Sequence, residues 1–277
     1  MIGIFDSGFG GLSTLKELLK ILPEYDYIYL GDSARTPYGG RSQETVTSFT
    51  EECVNELFDR GVEITLIACN TASSDALRFL QKKYLNRKIL GVLIPAAEVA
   101  LEETRFGRIG IAGTRGTIQS RNYEKEIKKL YPKIYQPKDK RARKIPEVHT
   151  QSCPLLVPLI EEGWQEKPES RMILRKYLKP LKDANIDTLI LGCTHYPLME
   201  KSFKRKIGKR CKVINSSKAQ AEKFADYLEK HSEIKSKLKK TSKLKFLTTD
   251  DKDRFIELGS KFLDKKISKK DIEKISF

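Results

Sequence analysis

Histidine and tryptophan are nearly missing from this chain, which has three of the first and one of the second. Its five cysteines are an odd number without dense spacing, which argues against a disulfide framework. The paired C-x-x-C or H-x-x-x-H spacing of common zinc sites is also missing. No apolar run approaches the roughly 18 to 20 consecutive residues that a membrane helix needs. The amino end, Met1-Ile2-Gly3-Ile4-Phe5-Asp6, carries neither a basic n-region nor a cleavage site. Together these absences point to a cytoplasmic chain with free thiols. Acidic residues are outnumbered, 37 against 53 basic ones, for a formal charge of +16. Such a balance can favour nucleic acid or an anionic small molecule. Here the excess is mostly lysine spread through polar helical segments, without interleaved aromatics or a recognition-helix signature. It reads as a solvated surface.

What is present is concentrated in two segments, Ala68-Cys69-Asn70-Thr71-Ala72-Ser73 and Leu191-Gly192-Cys193-Thr194-His195-Tyr196-Pro197. Each sets one cysteine at the end of a short apolar run. Each then follows it with small hydroxyl or amide side chains able to hydrogen-bond a ligand. The two lie far enough apart to belong to different halves of the chain.

Apolar strands at residues 2–5, 27–30, 64–68 and 89–93 alternate with helical patterns at 12–22, 42–60 and 74–84. After Pro95 the pattern restarts with a strand at 108–112. A charged loop is expected at 137–144, a helix at 172–182, a strand at 188–191, and a short strand at 212–214 before a long helix from Lys218. Such alternation implies parallel sheets covered on both faces. Gly, Ser, Thr and Cys fall where strands hand over to helices, the edge at which open parallel sheets bind ligands. The expected fold is α/β, with two similar parallel-sheet domains and the active site in the cleft between them. The first domain is expected to comprise residues 1–96 plus about 210–277, because a strand-like segment at 244–247 needs a sheet to join. The second is expected to cover about 97–209.

Asp6 sits in a glycine-rich turn, where a carboxylate can equally cap a helix. Gly8-x-Gly10-Gly11 lacks the Rossmann spacing and the Walker lysine, so a nucleotide cradle is poorly supported. Cys53 lies in a helical pattern as a core filler, Cys211 precedes a strand in a basic stretch, and Cys153 before Pro154 has no strand-end context. Of the histidines only His195 stands beside a strand-end thiol; His149 and His231 do not. An imidazole there can move a proton or stabilise a thiolate, whose free pKa of about 8.5 is otherwise too high. Cys-x-His without further ligand spacing does not predict a metal. No lysine occupies these strand ends to form a pyridoxal Schiff base, and a papain-like Cys–His hydrolase would leave the second thiol unexplained. Two thiols across one α-carbon fit inversion instead. One thiolate removes the α-proton and the opposite thiol delivers a proton to the other face, provided the site stabilises the developing carbanion.

Four segments carry a resemblance: Phe5-Asp6-Ser7-Gly8-Phe9-Gly10-Gly11-Leu12, Asp32-Ser33-Ala34-Arg35-Thr36-Pro37-Tyr38-Gly39, Cys69-Asn70-Thr71-Ala72-Ser73 and Leu191-Gly192-Cys193-Thr194-His195-Tyr196-Pro197-Leu198. So do Gly113-Thr114-x-x-Thr117, the run from Cys153 to Gly163, and Thr248-Thr249-Asp250-Asp251. In order and through almost the whole chain, they resemble the motifs of bacterial glutamate racemases. The resemblance implies cofactor-independent interconversion of L- and D-glutamate for peptidoglycan synthesis. It implies that Cys69 and Cys193 are the proton donors and acceptors, the first working on D-glutamate and the second on L-glutamate. Asp6 would assist the Cys69 side, and His195 with Glu161 the Cys193 side. Ser7, Tyr38, Gly39, Asn70, Thr71, Thr114 and Thr194 would bind substrate, with Asp6 and His195 in contact with it as well. Members of the family commonly form homodimers.

Two features depart from the family pattern. Asn215-Ser216 stands where the family usually has Asp-Ser, which removes a carboxylate near the cleft rim. The chain is also unusually basic, which invites an additional partner such as a nucleic-acid enzyme or cell-wall machinery. The rival readings are a two-cysteine racemase of aspartate or another amino acid, and a non-catalytic binding protein that uses the basic surface.

Overall fold

The computed structural model describes residues 1–137 and 139–277. Lys138, within the stretch expected to be charged loop, lies outside them. The first sheet is built from β1 (Ile2–Asp6), β2 (Tyr27–Gly31), β3 (Ile64–Ile67) and β4 (Lys88–Gly91). The second is built from β5 (Arg108–Gly113), β6 (Glu147–Ser152), β7 (Thr188–Gly192) and β8 (Lys212–Asn215), after which β9 (Leu244–Thr248) and β10 (Ile272–Lys274) return to the first. The strand orders are β10-β9-β2-β1-β3-β4 and β6-β5-β7-β8. Every neighbouring pair is parallel.

Burial explains which segments became strands. Every residue of β1, β2, β3 and β7 is buried, as expected for central parallel strands covered by helices on both faces. The helix Leu12–Ile21 buries Leu12, Leu15 and Leu18 along one stripe. Each such leucine contributes about 2 kcal/mol of burial. That helix packs on the helix Ser216–Lys230, and one apolar cluster runs from the first sheet through this contact into the second. Ser13 Oγ adds a polar tie, donating to Thr194 O at 3.1 Å and lying 2.6 Å from Ser217 Oγ.

Several expectations shift. The boundary expected near residue 210 falls one strand early, because β8 pairs with β7 in the second sheet. Val213 and Ile214 bury their side chains there, and the chain rejoins the first sheet only at β9. The strand expected at 89–93 stops at Gly91, and Leu93 opens the helix Leu93–Glu103. Pro95 falls in its first turn, where a missing N–H leaves no intrahelical bond unmade. The helix expected from Ser74 starts at Asn70, as Asn70–Asp75 followed by Leu77–Lys83. β6 and β10 were not anticipated: β6 is a half-exposed edge strand of largely polar sequence, and β10 has three residues. Among the described residues no helix is long and apolar enough to cross a membrane.

Candidate active site

The carboxyl ends of β1, β3, β5 and β7 meet where the two sheets face each other. Asp6 is the last residue of β1 and Cys69 follows β3 as the residue capping the helix Asn70–Asp75. Cys69 Sγ accepts from Ala72 N at 3.4 Å and lies 3.4 Å from Ser7 Oγ, to which it donates. Cys193 follows β7, with its Sγ 3.9 Å from His195 Nδ1. Both sulfurs line one narrow cavity of about 20 Å³, together with Ser7, Tyr38, Gly39, Asn70, Thr71, Thr114, Thr194 and His195. Of the residues expected at the site, Asp6 and Glu161 alone stand behind its walls.

Asp6 is fully buried and bridges the two halves. Its Oδ2 accepts from Gly8 N at 3.0 Å, and its Oδ1 accepts from Thr194 Oγ1 at 3.2 Å. Burial pushes its carboxyl above the usual carboxylate range, against the pull of His195 and the N–H groups of Gly11 and Gly8. Burial, and then the nearby Asp6 charge, push the Cys69 thiol up to about 12.

The Cys193 side carries the opposite electrostatics. His195 Nε2 lies 2.9 Å from Glu161 Oε1. Burial disfavours the imidazolium, but its contacts with Cys193 and Glu161 outweigh that and raise its pKa to about 10. Burial acts to raise Glu161 in turn, yet His195, and more weakly Arg254, hold it below its ordinary value. Arg254 reaches this pair from the helix Lys252–Leu263, at 3.9 Å from Glu161 Oε2.

Hydroxyls and amides complete the walls. Thr114 Oγ1 lies 2.9 Å from Thr71 Oγ1 and donates to Thr117 Oγ1 at 3.0 Å. Tyr123 donates to Asn70 Oδ1 at 2.7 Å, while Asn70 Nδ2 is buried without a hydrogen-bond partner among the described residues. The Tyr38 hydroxyl is committed to Asp32 Oδ2 at 2.5 Å, so what this tyrosine offers the cavity is its ring and main chain. Gly39 must be glycine because a Cβ there would stand 2.7 Å from Thr114 Cβ. Asn215 does not line the cavity. It caps the helix Ser216–Lys230, its Oδ1 accepting from Ser217 N and Lys218 N, and its Nδ2 donates to Glu200 Oε2 at 3.0 Å.

Sequence reasoning missed three residues near the thiols. Thr117 and Tyr123 orient other side chains and had no local signal beyond the Gly113-Thr114-x-x-Thr117 motif. Cys153 is buried in the wall of an adjoining cavity, with its thiol pushed up by burial and by proximity to Cys193. Cys53 is a core residue, as its helical pattern indicated, and Cys211 is partly exposed. Among the described residues no group of three His, Cys, Asp or Glu side chains is placed to hold a metal.

Residues 6–224 match the sequence model of the Asp/Glu/Hydantoin racemase family. The chain belongs to that family. A glutamate racemase of Geobacter metallireducens is 41% identical to this racemase over 96% of its chain and 93% of the relative. One from Aquifex aeolicus is 40% identical, covering 82% and 83% of the two chains. Among solved structures, a glutamate racemase isoform from Bacillus anthracis superposes with a TM-score of 0.88 at 34% identity, covering 100% of the racemase and 97% of that chain. A glutamate racemase from Francisella tularensis in complex with D-glutamate gives 0.86 at 31% identity, covering 99% and 97%.

Proposed function

We propose that this racemase interconverts L- and D-glutamate by carrying the α-proton between Cys69 and Cys193 without a cofactor. The observation that carries the reading is that two thiols, supplied by strand ends of two separate sheets, line one cavity. A thiolate on one side takes the α-proton and becomes a thiol; the thiol on the other side gives its proton to the opposite face and becomes a thiolate. One proton enters the amino acid and one leaves, so the product is the mirror image and the protein ends in the complementary protonation state.

The α-proton of an amino acid is far less acidic than a thiol, so the basicity of each sulfur matters. Raising the Cys69 thiol narrows that gap for the thiolate when it forms, because proton transfer becomes easier as the two pKa values converge. On the other side, the imidazolium of His195 favours negative charge on the neighbouring sulfur and on the enolate as it develops. The buried Asn70 Nδ2, the Thr71 and Thr114 hydroxyls and Ser7 are donors suited to carboxylate oxygens. The product would serve as the D-glutamate of peptidoglycan, made in the cytoplasm.

The test is the loss of optical activity from L-glutamate by purified protein without added cofactor, in wild type, Cys69→Ser and Cys193→Ser. Wild type racemises, and each variant loses about 10³-fold or more, since a hydroxyl cannot replace the thiol as acid or base. Full activity in either variant overturns the assignment of both thiols. Side-by-side rates with aspartate decide the side-chain preference, and glutamate is expected to be the faster substrate.

A further inference from the structure

A second cavity adjoins the one that holds the thiols. It has a volume of about 160 Å³, against about 20 Å³ for the inner space, and shares Pro37, Gly39, Thr114 and Val157 with it. Its remaining walls are mostly apolar, with Pro154 and Pro158 on one side. The exception is Arg115, the first residue of the helix Arg115–Gln119. Among the described residues no other lysine or arginine lines either cavity. Arg115 is exposed and makes no ion pair or side-chain hydrogen bond among the described residues, whereas Arg35 on the neighbouring loop is bound to Asp32 and Glu52.

This placement answers an electrostatic problem. An acidic amino acid carries two carboxylates and one ammonium. It must approach an interior where, among the described residues, the carboxyl group of Asp6 stands unpaired with any cation at the mouth and that of Glu161 is already matched by the imidazolium of His195. A guanidinium with no ion pair or side-chain hydrogen bond among the described residues, set among apolar walls at the mouth, offers the planar fork that fits a carboxylate. The apolar walls also focus its field toward the opening.

We propose that the outer cavity is a carboxylate-binding antechamber on the path to the thiols, and that Arg115 is the cation that recruits an anionic amino acid into it. The inference rests on the proposed racemisation of glutamate for its ligand, but binding can be read without turnover. L-Glutamate is titrated calorimetrically into a protein carrying Cys69→Ser and Cys193→Ser, with and without Arg115→Gln. Loss of the arginine is expected to weaken glutamate binding about fivefold at low salt, the worth of one charge across a few ångströms of water. The difference should disappear at roughly 1 M salt, and glutamine binding should not change. Arg115→Lys should keep most of the affinity.

In the otherwise wild-type enzyme, Arg115→Gln should lower kcat/KM for glutamate and flatten its salt dependence, with little change in kcat and an unchanged melting temperature. Equal glutamate affinities with and without Arg115, or no binding in either protein, overturn the antechamber. Failure of the wild type to racemise glutamate instead overturns the proposed reaction, so the two failures are separable.

Discussion

Oε1 of Glu161 stands 2.9 Å from Nε2 of His195, so the imidazole that meets Cys193 on one edge is held by a carboxylate on the other. The carboxylate fixes the ring orientation and supports its positive charge. Replacing Glu161 by Gln leaves a hydrogen-bonding group of the same shape without the charge. We expect kcat/KM to fall about 10-fold. The fall must be equal in both directions, because the two enantiomers have the same free energy. Isotope effects break that symmetry: with α-deuterated glutamate, the effect should grow for the enantiomer deprotonated on the Cys193 side. Equal isotope effects from both enantiomers, unchanged from wild type, would contradict a role confined to that side.

The same pair gives stability a defined pH dependence. The folded pKa of His195, about 10, lies above the unfolded value near 6.5. Its contribution is therefore complete below about pH 6.5 and is lost as pH rises through about 10. Glu161 is shifted downward, so its contribution is complete above its unfolded pKa of about 4.3 and is lost as pH falls through the lowered value. Urea unfolding of wild type and His195→Gln should differ most near pH 6 and converge toward pH 10. A difference that grows with pH would reverse the assignment.

Gly10 lies where the turn after β1 meets the Cys193 loop. A Cβ at this position would stand 2.5 Å from His195 Nδ1 and closer still to Thr194 Oγ1. Gly10→Ala must displace both side chains, at a cost of about 1–3 kcal/mol. Activity should fall by more than the stability loss alone explains, because the displaced groups are those beside Cys193 and Asp6. Wild-type rates at a temperature well below the variant's melting point would contradict this packing.

Asn215 performs a cap that an aspartate could also provide, but its amide also donates to Glu200. Asn215→Asp keeps the cap, loses the donor and sets two carboxylates together. A loss of about 1 kcal/mol is expected at low salt, shrinking at roughly 1 M salt as the repulsion is screened. Chemical unfolding at the two salt concentrations checks it, and equal stability at low salt would show that the contact with Glu200 contributes nothing.

Much of the arrangement was legible because central parallel strands announce themselves. Residues 64–68 and 188–191 are apolar but for Thr65 and Thr188, and small polar residues follow each run, so the sequence places Cys69 and Cys193 at strand ends. The motifs around them also drew in Asp6, His195 and Glu161. Partner choice was not legible. The segment Lys212–Asn215 is a short stub with two apolar residues that could join either sheet, and only its pairing with β7 decides the matter. β6 reads Glu-Val-His-Thr-Gln-Ser, without the apolar signature of a buried strand, because an edge strand need not have one. Cys153, expected to lack a strand-end context, follows directly on β6, whose polar sequence hides that strand end, and Tyr123 approaches the site through long-range packing that leaves no local pattern.

The proposal of two bases meets its most direct test in heavy water. L-Glutamate carrying ordinary hydrogen at the α-carbon is incubated with the enzyme, and both enantiomers are separated and weighed at low conversion. With one thiol taking the proton and another giving a deuteron, the D-glutamate formed should carry solvent deuterium while the remaining L-glutamate stays unlabelled. The reverse experiment should mirror it. D-Glutamate that retains the original α-hydrogen, or L-glutamate that gains deuterium as fast as product forms, would mean that a single group handles both faces.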